Sequence, residues 1–122
     1  MSEIDQPSVK IGVNPGGTNE KFVRANIKQA EVIVIPKNLE IPDKIISGEV
    51  DVMITDNVEA MLVAASRTEL YAVAPNKTFT KDDFGYMVPR DDFAFINWLN
   101  LWIHHTEDKG EFQKLKEKWI SK

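Results

Sequence analysis

Hydrophobic positions along the chain come in short clusters whose spacing alternates between two patterns. Val9, Ile11 and Val13 are separated by Lys10 and Gly12, the period of a strand, and the run breaks at Asn14-Pro15-Gly16-Gly17. Phe22, Val23 and Ile27 then follow at helical spacing, with Thr18 as the predicted N-cap. Glu31-Val32-Ile33-Val34-Ile35 is nearly continuous, ends at Pro36, and predicts a strand covered on both faces. Asn38 is placed to cap a short helix that reaches Ile45-Ile46 and stops at Gly48, with Pro42 tolerated only in its first turn. Val50 to Thr55 predicts a third strand and Asp56 caps the helix after it, from Asn57 to about Ala65.

The order is therefore βαβαβα, an α/β fold with a parallel-rich sheet. Leu70-Tyr71-Ala72-Val73-Ala74 predicts a fourth strand, and Phe84 to Pro89 a short further one after a polar stretch from Lys77 to Asp83. Two C-terminal helices close the chain. The first is capped by Asp91 or Asp92, runs to about Thr106 and carries Phe95, Leu99 and Trp102 at i, i+4, i+7. Gly110 separates it from the second, where Phe112, Leu115 and Trp119 repeat the spacing. Such aromatic stripes are usually core, so these two predict a packed interior.

In parallel sheets ligands sit beyond the carboxyl ends of the strands, where helix N-termini present free N–H groups. Gly16-Gly17-Thr18 and Thr55-Asp56 both fall at that edge. The glycine turn suits an anion, or is simply a turn. It is neither a dinucleotide fingerprint nor a P-loop, so nucleotide binding does not follow. Asp56 and Glu59, three apart at a helix start, read as paired carboxylates near a ligand or as a capping box in which Glu59 reaches back to the cap. The adjacent His104 and His105 diverge on a helix and cannot share a metal; no metal site or Ser-His-Asp constellation is predicted.

Charge and composition narrow the partners. Across 122 residues, 15 Lys+Arg against 19 Asp+Glu leave a net charge of −4 without basic clusters, which argues against nucleic acid or an anionic membrane. No apolar run approaches the ~18 residues of a membrane span. The absence of cysteine excludes a disulfide framework, a thiolate zinc site and a cysteine nucleophile. Met1 to Asp5 lacks the basic start and apolar core of a signal peptide, which predicts a cytosolic chain or a lost leader.

Asn14-Pro15-Gly16-Gly17-Thr18-Asn19-Glu20-Lys21-Phe22, together with Asp51-Val52-Met53-Ile54-Thr55-Asp56-Asn57-Val58-Glu59-Ala60, resembles the periplasmic cyclohexadienyl dehydratases. These are prephenate/arogenate dehydratases built on the amino-acid-binding protein fold of ABC transporters. Gly85-Tyr86-Met87-Val88-Pro89, the following helix, Lys109-Gly110 and Trp119 resemble the C-terminal signature of those solute-binding proteins. The similarity covers nearly the whole chain, and the Asn-Pro-Gly-Gly-Thr-Asn-Glu run is specific to the dehydratase branch.

That fold has two lobes, and the chain matches only the second lobe and the C-terminal return. The resemblance implies residues 1–90 as the second-lobe domain with its return strand and 91–122 as a helical segment that belongs with an absent first lobe. The first-lobe segment and export signal would be missing, the aromatic stripes exposed, and a homodimer or larger homo-oligomer formed through the C-terminal helices. The full-length family is periplasmic.

The resemblance makes Glu59 the candidate general acid of a carbon-oxygen lyase. Prephenate loses its ring hydroxyl as water together with a carboxylate as CO2, and the acid protonates the departing hydroxyl. For that Glu59 must carry a proton, which a closed cleft or a nearby carboxylate such as Asp56 or the substrate would favour. Asp56 matches the acid that receives a ligand ammonium, and Asn14, Gly17 and Thr18 match positions facing an anionic group. The arginine that such folds aim at a carboxylate has no counterpart in Arg24, Arg67 or Arg90. No cofactor is implied. The ligand class is a small carboxylate or amino acid, and the alternative function is a non-catalytic amino-acid-binding component of an ABC transporter in which Glu59 only caps its helix.

Overall fold

The structure, a computed structural model, describes residues 1–82 and 85–120. Three parallel strands form its sheet in the order β2-β1-β3: β1 is Lys10–Val13, β2 Glu31–Val34 and β3 Val52–Met53. Lys10 to Val13 pair in register with Glu31 to Val34 on one side, and Ile11 and Gly12 with Val52 and Met53 on the other. The helix α1 (Thr18–Asn26) joins β1 to β2, and α2 (Ile41–Ile46) joins β2 to β3. Right-handed crossovers that run across the sheet in opposite directions put their helices on opposite faces, and the core divides accordingly.

Alternation along β1 supplies both halves of that core. Ile11 and Val13 point to one face, where Val23 and Ile27 of α1 close over them. Gly12 points to the other, where a β-carbon would lie 3.1 Å from Ile41 Cγ2 and 3.2 Å from both Ile35 and Val50. Only a residue without a side chain lets α2 approach this closely, and Ile35, Ile41 and Val50 form the second cluster in that space. Pro42 sits in the first turn of α2, as its missing N–H requires.

Asp5 fastens the connection between α1 and β2. One of its carboxylate oxygens accepts from the amides of Lys28, Gln29 and Ala30 at 3.0, 2.7 and 3.1 Å. The Gln29 and Ala30 amides in particular hold this carboxyl below its ordinary range, against the opposing effect of desolvation.

Several local expectations are corrected. Thr18 is the first helical residue rather than the cap; Gly17 holds the cap position without a side-chain bond. Asn38 opens a 3-10 turn, Asn38–Glu40, behind Lys37 and does not cap it. The strand β2 is an edge strand with half-buried and exposed residues rather than one covered on both faces. Leu70 to Ala74 forms no strand. A strand needs a neighbour to take its backbone bonds, and Ala74 adopts a left-handed φ of +46° that breaks extension. The expected strand from Phe84 to Pro89 is absent over Gly85–Pro89, while Asp83 and Phe84 lie outside the described residues.

The chain divides into two compact units, Met1–Pro75 and the part from Asn76 onward. After α3 (Asn57–Ser66) in the first unit come α4 (Phe93–Asp108) and α5 (Glu111–Ile120) in the second. Asp92 is the cap of α4, accepting from the Phe95 amide at 3.0 Å, and Gly110 turns the chain with a φ of +67°. Trp102 and Phe112 meet edge to face at 5.9 Å between the two helices. The stripes nevertheless form no interior: no described residue of this unit is buried, and Trp98 and Trp119 are 57% and 60% exposed. Two helices alone offer no opposing layer, so the packed interior expected from the spacing is not formed and the exposure implied by the family resemblance is what is found.

Candidate functional site

The loops after the three strands converge at the carboxyl edge of the sheet. The strand order reverses there, with β1 central, which makes this edge a switch point. A polar residue follows each strand: Asn14 after β1, Asn38 after β2 and Thr55 after β3.

Glu59, in the first turn of α3, gathers these segments. Asn38 Nδ2 donates to Glu59 Oε1 at 2.7 Å, and the Thr55 hydroxyl donates to Glu59 Oε2. Asn19 Nδ2, from the first turn of α1, donates to Thr55 Oγ1 at 3.3 Å. One half-buried carboxyl is thereby tied to the ends of β2 and β3 directly and to α1 through Thr55. Asp56 is the N-cap of α3, its Oδ1 accepting from the Glu59 amide at 2.9 Å. The reciprocal half of a capping box is missing, because both Glu59 oxygens are engaged elsewhere. One oxygen still reaches back, to the Thr55 hydroxyl just before the cap; the other is held by Asn38 from the segment after β2, a partner that a capping role does not call for.

The glycine loop is partly self-occupied. Gly16, with φ +79°, donates its amide to Glu20 Oε2 at 2.7 Å. Glu20 also pairs with Arg24 at 2.8 Å, and the Gly16 amide first, then Arg24, hold its carboxyl below the usual range. That amide is therefore already serving an anion of this chain. The Asn14 side chain lies against Gly17, where an added β-carbon would come 3.4 Å from Nδ2. Thr18 is exposed in the first turn of α1, whose leading amides have no acceptor within the helix.

Of the residues singled out in the sequence, the structure links Asp56 with Glu59 and sets Asn14 against Gly17. Asn19, Asn38 and Thr55 complete the arrangement around Glu59 and were not among them as site residues. The signal for Thr55 was its place at the sheet edge two residues past β3, whereas Asn38, four residues past β2, carried the signal of a helix cap only. Arg24 is paired with Glu20, and Arg67 with Asp43 at 2.7 Å. His104 and His105 lie on α4, where His104 faces Asp108 at 3.4 Å. Two open, mostly apolar depressions lie on the second unit, one bordered by Trp98, Leu101 and Trp102 and the other by Tyr86, Leu99 and Ile103. Neither includes Asp56 or Glu59. The carboxyl edge thus carries two carboxyl groups at the head of α3, Glu59 held by Asn38 and Thr55 and Asp56 exposed.

No protein-family model matches the chain. Over 120 residues, 98% of its length, it is 42% identical to cyclohexadienyl dehydratase of Pseudomonas aeruginosa, of which it covers 44%. It aligns with the crystal structure of an ancestral cyclohexadienyl dehydratase at 44% identity and a TM-score of 0.62, covering 99% of this chain and 50% of that one. An ancestral cationic amino acid solute-binding protein aligns at 28% identity and a TM-score of 0.82, over 98% of this chain and 50% of that one. The chain spans about half the length of each of these relatives. It is a homologue of cyclohexadienyl dehydratase with the architecture of a periplasmic-binding-protein lobe.

Proposed function

We propose that this homologue of cyclohexadienyl dehydratase supplies the acid-bearing side of a carbon-oxygen lyase site acting on prephenate or arogenate. The observation that carries the reading is the placement of Glu59: its carboxyl is taken up by Thr55 and Asn38 at the sheet edge instead of closing its own helix cap. In the reaction the bond from the ring to its carboxylate breaks and its electron pair completes the aromatic ring. The hydroxyl departs with its bonding pair and takes the proton of Glu59, leaving as water beside CO2. Solvent returns a proton to Glu59. Asp56, exposed at the head of α3, suits the ammonium of arogenate, and Asn14, Gly17 and Thr18 suit a substrate carboxylate.

An open edge does not exclude water, so a second wall is part of this reading. We place it with a further copy of the chain, joined through the exposed aromatic faces of α4 and α5, and assign the full-length protein to the periplasm. The test follows phenylpyruvate formation from prephenate while light scattering records mass. Turnover above the buffer rate, a mass above 13.9 kDa and a loss of roughly 10²- to 10⁴-fold in Glu59→Gln are expected. A rate equal to the blank, or one that Glu59→Gln leaves unchanged, overturns the catalytic reading.

The second reading is a non-catalytic amino-acid-binding component. It is favoured by the exposure of Asp56, whose Oδ1 accepts from the Glu59 amide in its own helix, and by the match to the solute-binding protein. Calorimetric binding of a basic amino acid without turnover, abolished by Asp56→Asn, would establish it.

A further inference from the structure

We propose that Asn38 is the positioning residue of Glu59, holding one oxygen of its carboxyl in both protonation states; this rests on the dehydratase reading above. Asn38 has the residue type and position of a helix cap, yet Lys37 takes the cap position and Asn38 makes no cap bond. Its side chain crosses instead to a residue 21 positions away, where Nδ2 meets Glu59 Oε1 at 2.7 Å.

The other half of the same amide is the unusual part. Asn38 Oδ1 is buried and has no hydrogen-bond partner among the described residues, whereas buried polar atoms in folded proteins are nearly always paired. An unpaired acceptor on the very amide that holds a carboxyl has a chemical use. Rotating a carboxamide by 180° exchanges its NH2 and its oxygen. When Glu59 is ionised, Nδ2 donates to Oε1, as observed. When Glu59 carries its proton on Oε1, the rotated amide presents Oδ1 as acceptor, and the carboxyl keeps its place.

The Thr55 hydroxyl serves the second oxygen, Oε2, and is itself steadied by Asn19. The two carboxyl oxygens are thus divided between a carboxamide and a hydroxyl, each able to donate or accept. A general acid passes through both protonation states in every turnover, and a carboxamide and a hydroxyl can follow the proton on whichever oxygen carries it. Lysine could only donate, and aspartate would repel the carboxylate formed when the proton leaves. The Asn38 and Thr55 donors are also aimed where negative charge develops as Glu59 protonates the leaving hydroxyl.

The experiment has two arms. In the 15N-labelled chain, the Asn38 side-chain NH2 signals should move with pH in the wild type and stay fixed in Glu59→Gln, which cannot titrate. Signals that do not respond in the wild type, or respond equally in the variant, overturn the proposal whether or not prephenate is turned over. In the second arm, Asn38→Leu, close in size but without donor or acceptor, should lower kcat about 10- to 100-fold while KM changes less than about twofold. A larger effect on KM than on kcat, or no effect on either, also overturns it. Absence of wild-type turnover sinks the dehydratase reading alone, since the NH2 response still decides the role of Asn38. That arm needs no Asn38 variant to fold.

Discussion

The α/β unit and the helical unit are built from the same material, amphipathic segments with well-placed caps and turns, and end in different states. In the first, Ile11, Val23 and Val50 have no exposed surface, because the strands offer each helix a face to close against. In the second, α4 and α5 have a good cap at Asp92 and a left-handed turn at Gly110, yet Trp98, Trp102 and Trp119 stay open. A stripe of apolar residues is enough to specify a helix and its sidedness, but burial requires a second surface. The contrast locates the buried core of the chain in one unit and its exposed aromatic surface in the other.

The comparison breaks most sharply at the centre of the sheet. Ile11→Ala removes a side chain of zero exposure and should cost about 2–5 kcal/mol in denaturant unfolding followed by circular dichroism. A cost below about 1 kcal/mol would mean that β1 is not the centre of the core.

A smaller effect is expected from Asp5. Its native carboxyl lies below the ordinary value of 3.8, held there by the Gln29 and Ala30 amides. The unfolded chain therefore binds the proton more readily. The contribution of Asp5 is complete above the ordinary value and fades as pH falls below it through the lowered native value. Asp5→Asn should flatten the Tm curve in that acid range by a few degrees at most, since the group faces solvent. A wild-type curve that loses nothing there relative to Asp5→Asn would show that the three amide bonds do not persist in solution.

The smallest effect on folding is expected at Trp98, where an exposed substitution such as Trp98→Ser should change the stability of the monomer by no more than about 0.5 kcal/mol. Its effect on assembly should be larger, shifting the mass in light scattering toward the 13.9 kDa of one chain. All three tryptophans lie in α4 and α5, so indole emission reports on this unit separately. It should be that of solvated indole in the monomer and move to the blue on association. A Trp98→Ser cost comparable to that of Ile11→Ala would mean that the stripe is buried within the single chain.

The sequence by itself determined what depends on near neighbours. The βαβαβα order, the helices α3, α4 and α5, and the caps Asp56 and Asp92 follow from residue type and spacing over a few positions. The resemblance carried by the Asn14–Phe22 and Asp51–Ala60 runs also picked out Glu59. Tertiary structure decided whatever needs a partner distant in the chain. Leu70 to Ala74 has strand composition and no strand to pair with. Asn38 has cap composition, and its amide is taken by a carboxyl from another element. The aromatic stripes have core composition, and within the described residues of their own unit nothing buries them. Local propensity selects among backbone conformations at a cost of tenths of a kcal/mol per residue, whereas a ladder, a buried hydrogen bond or a covered face exists only when a second segment arrives. The direction of the Glu59 carboxyl was set in that second way, by three loops meeting at one edge of a parallel sheet.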